Sequence, residues 1–510
     1  MTDLPVTARV AERGARSPEP ARMGFRCAGW VLAVGLVSAC AVGPAHHVPE
    51  VVPATAHVAT PVSPDAPLFD SLARAANLPP PAPGAAFEAQ GVDAVAWLDV
   101  LRDTALVSLV QSALRDNRDI HEALGRVDEY RAAVGTARSM LFPEIDANAS
   151  ASTNQIAIGA SPPIAYKALR ATADLQWEID FWGRIRKGIA AAEADRDARA
   201  NDERALVLTI VGEIADGYLE LLELRDDLAV SQNTLASRQT TLNLSRQRFS
   251  QGVISELDVR QFEADVAGAA TSVAQYTRLA SQKEHALALL AGRAPGGTFA
   301  AGALDSAVTA VQVPDSVPAS MLLRRPDVLS AERDLAAATA RVGETIAAVL
   351  PRFTITGEYG RQAPTTTDLF GQEHEIYTLQ AGLSMPLFAG GRQTSELNAA
   401  RARVTQARAH YEQVVLTALN EAADALVAVR TDREQLAAQA AQTTALRDAY
   451  RLAERRYEGG IASYLEVLDA QRSLFTAELA LTQARRQYLE ATVELYKALG
   501  GRWQNGTGAR

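Results

Sequence analysis

From Arg118-Asp119-Ile120, which recurs as Pro326-Asp327-Val328, to about Gly500, the chain presents nearly the same pattern twice at a constant offset of 208 residues. Val134-Gly135 returns as Val342-Gly343, Pro143 as Pro351, Leu175 as Leu383, Gly183-Arg184 as Gly391-Arg392, and Arg248-Phe249-Ser250-Gln251-Gly252 as Arg456-Tyr457-Glu458-Gly459-Gly460. A repeat of this length without net insertion is a whole structural module duplicated within one chain, since solenoid periods run only to about 50 residues. The fold must therefore contain two pseudo-equivalent halves.

Each half combines two incompatible periods. Leu169, Ala171, Ala173, Leu175, Trp177, Ile179 and Phe181 alternate with Arg170, Thr172, Asp174, Gln176, Glu178 and Asp180, which is a strand with one apolar and one polar face. A weaker alternation covers Ile145, Ala147, Ala149 and Ala151, and the second half repeats the pair at Phe353 to Tyr359 and Tyr377 to Leu383. Each half thus contributes one long β-hairpin. After it, Arg184 to Arg248 contains no proline, and Val207, Ile214, Leu221, Leu228, Leu235 and Leu242 recur every seventh residue, the seam of a coiled coil. At about 1.5 Å per residue that helix is about 98 Å long. Gly252 breaks it, and a helix over 256–291 returns on Val259, Val266, Val273, Ala280 and Leu287. The second half repeats the design with seams at Val415 to Tyr450 and, after Gly459-Gly460, at Val467 to Leu495.

The N-terminus reads as an address. Arg22 and Arg26 precede the short apolar run Trp30 to Val37, which ends in Val37-Ser38-Ala39-Cys40. A positive flank, a run too short to span a bilayer and small residues at the cut point make a secretory signal. Cys40 directly after them makes the segment resemble a bacterial lipobox, which implies lipidation at Cys40, and the sorting pattern of such lipoproteins implies that Ala41 favours the outer membrane; Met23 is an alternative start. Cys27 would leave with the signal, so no disulfide is expected. The whole chain carries a net charge of -10, which gives no footprint for nucleic acid. Its seven His are scattered, and no phosphate loop or ordered triad is present, so no catalytic residue, metal site or cofactor is expected. Acidic pairs such as Asp226-Asp227 read as solvated helix faces.

Four two-faced strands cannot stay open in a membrane, because each unpaired edge group in hydrocarbon costs several kcal/mol. Closure needs further copies. Two would give eight strands with a filled interior and three would give twelve, the number that leaves a water-filled lumen. Arg170, Asp174, Glu178 and Asp180 would then line that lumen, with Trp177, Phe181 and Trp182 toward lipid and the periplasmic aromatic girdle.

Cys40-Ala41-Val42-Gly43-Pro44, Leu322 to Val328 followed by Ala331-Glu332, Phe181-Trp182-Gly183-Arg184, Pro386 to Arg392 and Ser463 to Gln471 occur in order within the duplicated frame. With them the chain resembles the TolC-type outer membrane factors, in particular the NodT-like lipoprotein branch that serves tripartite efflux pumps. The resemblance implies a mixed α and β membrane protein that trimerises into a 12-stranded barrel continued by a 12-helix periplasmic tunnel. It implies an adaptor and an inner-membrane pump as partners and a passive export duct as function. The alternatives are a structural coiled-coil envelope lipoprotein and a duct for protein secretion. The expected segments are 1–39 signal, 40–84 lipid-anchored linker, 85–295 first repeat, 296–320 equatorial connection, 321–503 second repeat and 504–510 tail.

Two further sites are expected at the periplasmic end. Gly252, Val253 and Ser255, with Gly460, Ile461 and Ser463, offer a glycine break, an apolar residue and a small hydroxyl at the two hairpin tips; in the family such tips meet the adaptor. Asp448, Arg451, Glu454 and Arg455, spaced by three or four, are the candidate gate that holds the tunnel closed.

Overall fold

The structure, a computed structural model, describes residues 42–51, 53, 57–59, 65–78, 103–157, 163–296, 299, 302, 304, 307 and 316–501. The signal segment, Cys40 and residues 504–510 lie outside the described residues.

The described elements run β1 (His57–Ala59), α1 (Ala66–Ala75), α2 (Thr104–Asp116), α3 (Arg118–Ser139), β2 (Glu144–Ile156), β3 (Ile164–Ile179), α4 (Arg184–Ser250), α5 (Glu256–Leu290), β4 (Ser316–Pro318), α6 (Ala319–Leu322), α7 (Pro326–Ala347), β5 (Arg352–Ala363), β6 (Glu375–Ser384), α8 (Arg392–Glu458) and α9 (Tyr464–Ala498). Helix starts at 118, 184 and 256 return at 326, 392 and 464, and the ends at 139, 250 and 290 return at 347, 458 and 498. The 208-residue offset therefore holds at every boundary of the paired helices. It fails at the strand ends that flank the hairpin turns, where a loop is free to change length, and at the ends of β3 and β6, since β6 stops at Ser384, three residues before the position equivalent to Ile179.

The chain forms two compact units, and both halves of the repeat contribute to each. One unit comprises residues 42–44, Arg138–Gly188 and Val342–Thr394. Its sheet is antiparallel in the order β2-β3-β5-β6, so the two hairpins join through β3 and β5. The strands are longer than the alternation alone marked out, because Ser152 to Gln155 and Ala165 to Lys167 continue the ladder with small or polar side chains.

The second unit comprises Ala45–Ala137, Ile189–Arg341 and the chain from Ser395. It holds α4 and α8, each 67 residues, and α5 and α9, each 35. Neither long helix contains proline, and their many alanines cost the helix nothing in side-chain entropy. The main core forms around the middle of these helices, where Ile214, Tyr218 and Leu221 of α4 meet Ala422 and Leu436 of α8 and Tyr488 and Leu495 of α9. Leu106 and Val110 of α2, Leu304, Val317 and Leu322 join the same core. Asp103 caps α2 by accepting from the amides of Ala105 and Leu106, and it accepts the Tyr218 hydroxyl at 2.7 Å. That hydroxyl in turn accepts the Gly302 amide at 2.8 Å, which ties the connection between the halves to α4.

Candidate functional site

The strand register sorts the sheet into two chemical faces. On one, Ile145, Leu175, Gly357 and Leu379 form a row across all four strands, and Ala147, Ala173, Tyr359 and Tyr377 form the next. Ile145, Tyr359, Tyr377, Leu379 and Leu383 are exposed, an apolar surface larger than scattered surface residues would make. On the other face Asp146, Asp174 and Glu358 stand in one row with Thr378, and Glu144, Gln176, Thr356 and Gln380 in the next. Arg170 pairs with Glu358, and Asn148 donates to Asp174. The sheet ends in β2 and β6, whose outer edges have no partner strand among the described residues.

Of the four residues expected on the polar face, Arg170, Asp174 and Glu178 lie within β3, and Asp180 does not. β3 ends at Ile179, and the Asp180 carboxylate accepts from the backbone amides of Ile185 and Arg186 at 3.1 and 2.9 Å and from the Arg186 guanidinium. A carboxylate at a helix start satisfies otherwise orphaned amides and the positive end of the helix dipole, so the polar alternation at this position serves the helix. Glu178 is also drawn to the base, accepting two 2.9 Å bonds from Arg184. Two indoles fasten this region, the Trp177 Nε1 donating to the Leu141 carbonyl at 3.0 Å and the Trp182 Nε1 to that of Pro351 at 2.9 Å. Phe181 packs edge-on against Trp182 and tilted against Phe353.

The two hairpin tips share one construction. The Gly252 amide bonds to the Phe249 carbonyl and the Val253 amide to that of Arg248; the Gly460 and Ile461 amides do the same with Tyr457 and Arg456. Gly252 and Gly460 sit at φ 71° and 72°, the left-handed stop of a Schellman motif, which disfavours residues with a Cβ. These glycines thus have a local reason to be there. Ser255 forms a capping box with Asp258, whereas the Ser463 side chain makes no cap bond. Val253 and Ile461 are 66% and 75% exposed, and one turn beyond them Leu257 and Leu465 are 67% and 68% exposed. The sequence reading missed Leu257 and Leu465; their appearance one 208-residue step apart on the two first turns was the available signal. Ile254 turns inward instead, joining Leu242, Val259, Phe262 and Tyr464.

The candidate gate residues are not brought together across helices within one chain. Arg451 donates to Asp448 at 2.7 Å along the same helix, with both side chains exposed. Glu454 accepts from Tyr450 on that helix. The links that cross between helices here include Arg447 with Glu478 at 2.8 Å, Arg248 to the Tyr457 hydroxyl, and Arg456 with Glu466 across the tip at 3.6 Å.

The Asp226-Asp227 pair is not a solvated face. Asp227 is buried and accepts the Thr482 hydroxyl of α9; burial, with Glu223 and Asp226 nearby, pushes its carboxyl up to about 7 despite that bond. Asp216, about three helical turns earlier on α4, is also pushed up to about 7 by burial and by Glu494 and Glu490, against the pull of Lys497 and Arg486. Among the described residues no group of His, Cys, Asp and Glu is arranged to hold a metal, and no helix is long and apolar enough to cross a membrane.

The family model for outer membrane efflux proteins matches residues 109–293 and 317–501, the two halves of the repeat. The antibiotic efflux pump outer membrane protein ArpC of Pseudomonas putida is 33% identical over 416 residues, covering 81% of this chain and 86% of the relative. The outer membrane protein OprJ of Pseudomonas aeruginosa is 31% identical over 430 residues, covering 83% and 90%. Among solved structures, the outer-membrane channel OprN superposes with a TM-score of 0.78 at 29% identity over 91% of this chain and 100% of that one. The open state of the Neisseria gonorrhoeae MtrE outer membrane channel gives 0.75 at 26% identity over 92% and 100%. The duplicated frame, the two-faced sheet and the paired long helices are those of these channels, and the chain belongs to the outer membrane efflux protein family.

Proposed function

We propose that three copies of this chain form the exit duct of a tripartite efflux system, passively conducting small molecules across the outer membrane. The observation that carries this reading is the four-stranded sheet with successive apolar rows on one face, polar rows on the other, and outer edges of β2 and β6 that have no partner strand among the described residues. In hydrocarbon such a sheet is stable only when its edges are closed, and twelve strands leave a lumen into which the polar face turns. Arg170 and Asp174 then meet the passing solute, and Cys40 carries the lipid that anchors the N-terminus. The long helix pairs continue the passage into the periplasm, where the exposed Val253, Leu257, Ile461 and Leu465 meet the helical hairpins of an adaptor that brings an inner-membrane pump. Energy and substrate choice reside in that pump.

Planar-bilayer recording tests the reading. Purified protein should give discrete conductance steps, and a structural tether would give none.

A further inference from the structure

The duplication builds the same helix joint twice and charges it once. Asn117, just before α3, donates to the Leu290 carbonyl at the end of α5 at 2.9 Å. Its repeat equivalent Arg325, just before α7, donates to the Ala498 carbonyl at the end of α9 at 3.1 Å. Each return helix thus ends against the helix that opens its half. The second joint has Arg325, Glu494 and Lys497 where the first has Asn117, Ala286 and Leu289, so neutral and apolar positions have become ionic.

A cavity of about 610 Å³ lies at this second joint, between α4 and α8, a volume that suits a drug-sized molecule. Leu208, Pro326, Ala425 and Ala428 give it an apolar wall, and Arg325, Lys497, Asp327, Glu421, Asp424 and Glu494 supply its charges. Both cations are already neutralised. The buried Arg325 donates to Asp327 at 3.0 and 2.7 Å and pairs with Glu421 at 2.7 Å. The Lys497 stem lies over Gly212 of α4, where a side chain would collide with it, and its ammonium donates to Glu494 at 2.6 Å. Asp424 is exposed and accepts the neutral Asn420 amide at 2.8 Å. Four carboxylates against two cations leave two negative charges in excess beside the apolar wall.

The cavity also has a defined side. At about 3.6 residues per turn, Ala205, Leu208 and Thr209 lie on the face of α4 opposite Ile210, Ile214 and Tyr218, which belong to the main core. The connection between the halves packs on that core side, through Gly302 and Leu304. In the duct proposed above, the opposite face is the inner one.

We propose that this cavity is a transit site for an amphiphilic organic cation, a flat or branched apolar body carrying one positive charge. The body lies against Leu208, Ala425 and Ala428, and the charge stays near Asp424. Because Asp424 is exposed, the ion keeps part of its water and leaves easily, as conduction requires of any site on the path. The assignment rests on the export-duct reading and adds a solute class and a place where that solute pauses.

Equilibrium dialysis of the full-length protein in nanodiscs, against empty nanodiscs, tests it with tetraphenylphosphonium and tetraphenylborate, which share a shape and carry opposite charges. Tetraphenylphosphonium should bind saturably, at one site per chain, and tetraphenylborate should not. Asp424→Lys cancels the excess charge and should weaken tetraphenylphosphonium binding about tenfold. Thr209→Trp, at an exposed lining position, fills the cavity and should abolish saturable binding. Where Thr209→Trp fails to insert, Asp424→Lys carries the comparison alone. Equal binding of the two ions, or tetraphenylphosphonium binding that neither variant changes, would overturn the cavity as a cation site. The same preparations are recorded in planar bilayers. Conductance steps without saturable binding would overturn the site and leave the duct standing, whereas binding without conductance would overturn the duct and with it the transit role.

Discussion

The Arg248 guanidinium donates to the Tyr457 hydroxyl at 2.6 Å and lies 5.0 Å from the centre of that ring, which ties the end of α4 to the end of α8. Tyr457 is the repeat equivalent of Phe249, so the second half adds a hydroxyl where the first has none. Asp448 and Arg451 pair within one helix and are exposed, an arrangement worth only about 0.3 to 0.5 kcal/mol. It cannot by itself hold two helices together. Arg248→Ala should therefore raise resting conductance and sensitivity to large antibiotics more than the Asp448→Ala, Arg451→Ala double variant does. Tyr457→Phe, which keeps the ring and loses about 1 kcal/mol of hydrogen bonding, should fall between them. A larger effect from the double variant would return the closure to the Asp448 cluster.

The row of Asp146, Asp174 and Glu358 carries three carboxylates per copy, and within it Glu358 is paired with Arg170 of another row. Turned into a lumen, such a ring favours cations. The reversal potential in a potassium chloride gradient should show cation preference, and Asp146→Asn with Asp174→Asn should reduce it. Asp180→Asn should leave selectivity unchanged and should lower thermal stability by about 1 kcal/mol, as loss of a helix-start carboxylate does. A selectivity change from Asp180→Asn alone would put that carboxylate in the conduction path.

The raised Asp216 carboxyl has a consequence for stability. Its value of about 7 in the folded chain stands against 3.8 for the free side chain, so between these values the folded form holds a proton that the unfolded form has lost. That contribution is complete below about pH 4 and disappears as pH rises through about 7. Asp216→Asn mimics the protonated group. It should raise the melting temperature at pH 8, by the equivalent of roughly 1 to 3 kcal/mol, and should raise it much less below pH 4, where both the folded and the unfolded carboxyl hold the proton. Equal effects at both pH values would exclude titration of this group as the cause.

The helices and hairpins were legible in the sequence because their periods persist over tens of residues, and the tip glycines because a left-handed stop selects them. The exceptions have physical reasons. Asp180 continued the apolar and polar alternation of β3, and only the turn after Ile179 reveals that it caps a helix. Asp227 sits on a helix with neighbours on several sides, so its burial against Thr482 depends on α9, which lies 255 residues away at the contact. The Arg248 to Tyr457 bond likewise joins positions 209 residues apart. Long seams announce themselves locally, whereas single contacts between them do not.

Cys40 separates anchoring from insertion. Labelled palmitate should enter the wild type and not Cys40→Ser. The sheet should still insert, because its exposed apolar rows bury far more surface than acyl chains worth about 0.8 kcal/mol per methylene. A Cys40→Ser protein recovered in the soluble fraction would contradict membrane insertion by the strands.

The hairpin tips separate docking from folding. Gly252→Asp or Gly460→Asp should lower export while trimer abundance is unchanged, but each also forces a side chain into the left-handed region, costing about 1 to 2 kcal/mol. Leu257→Asp with Leu465→Asp avoids that strain, because both positions are exposed on the first turns of α5 and α9 and an acid at a helix start suits the dipole. Melting temperature should therefore hold or rise slightly, while drug export falls severalfold and site-specific cross-linking to the adaptor is lost. Full export with normal cross-linking in that double variant, and in the Val253→Asp, Ile461→Asp pair, would move the adaptor contact away from the tips.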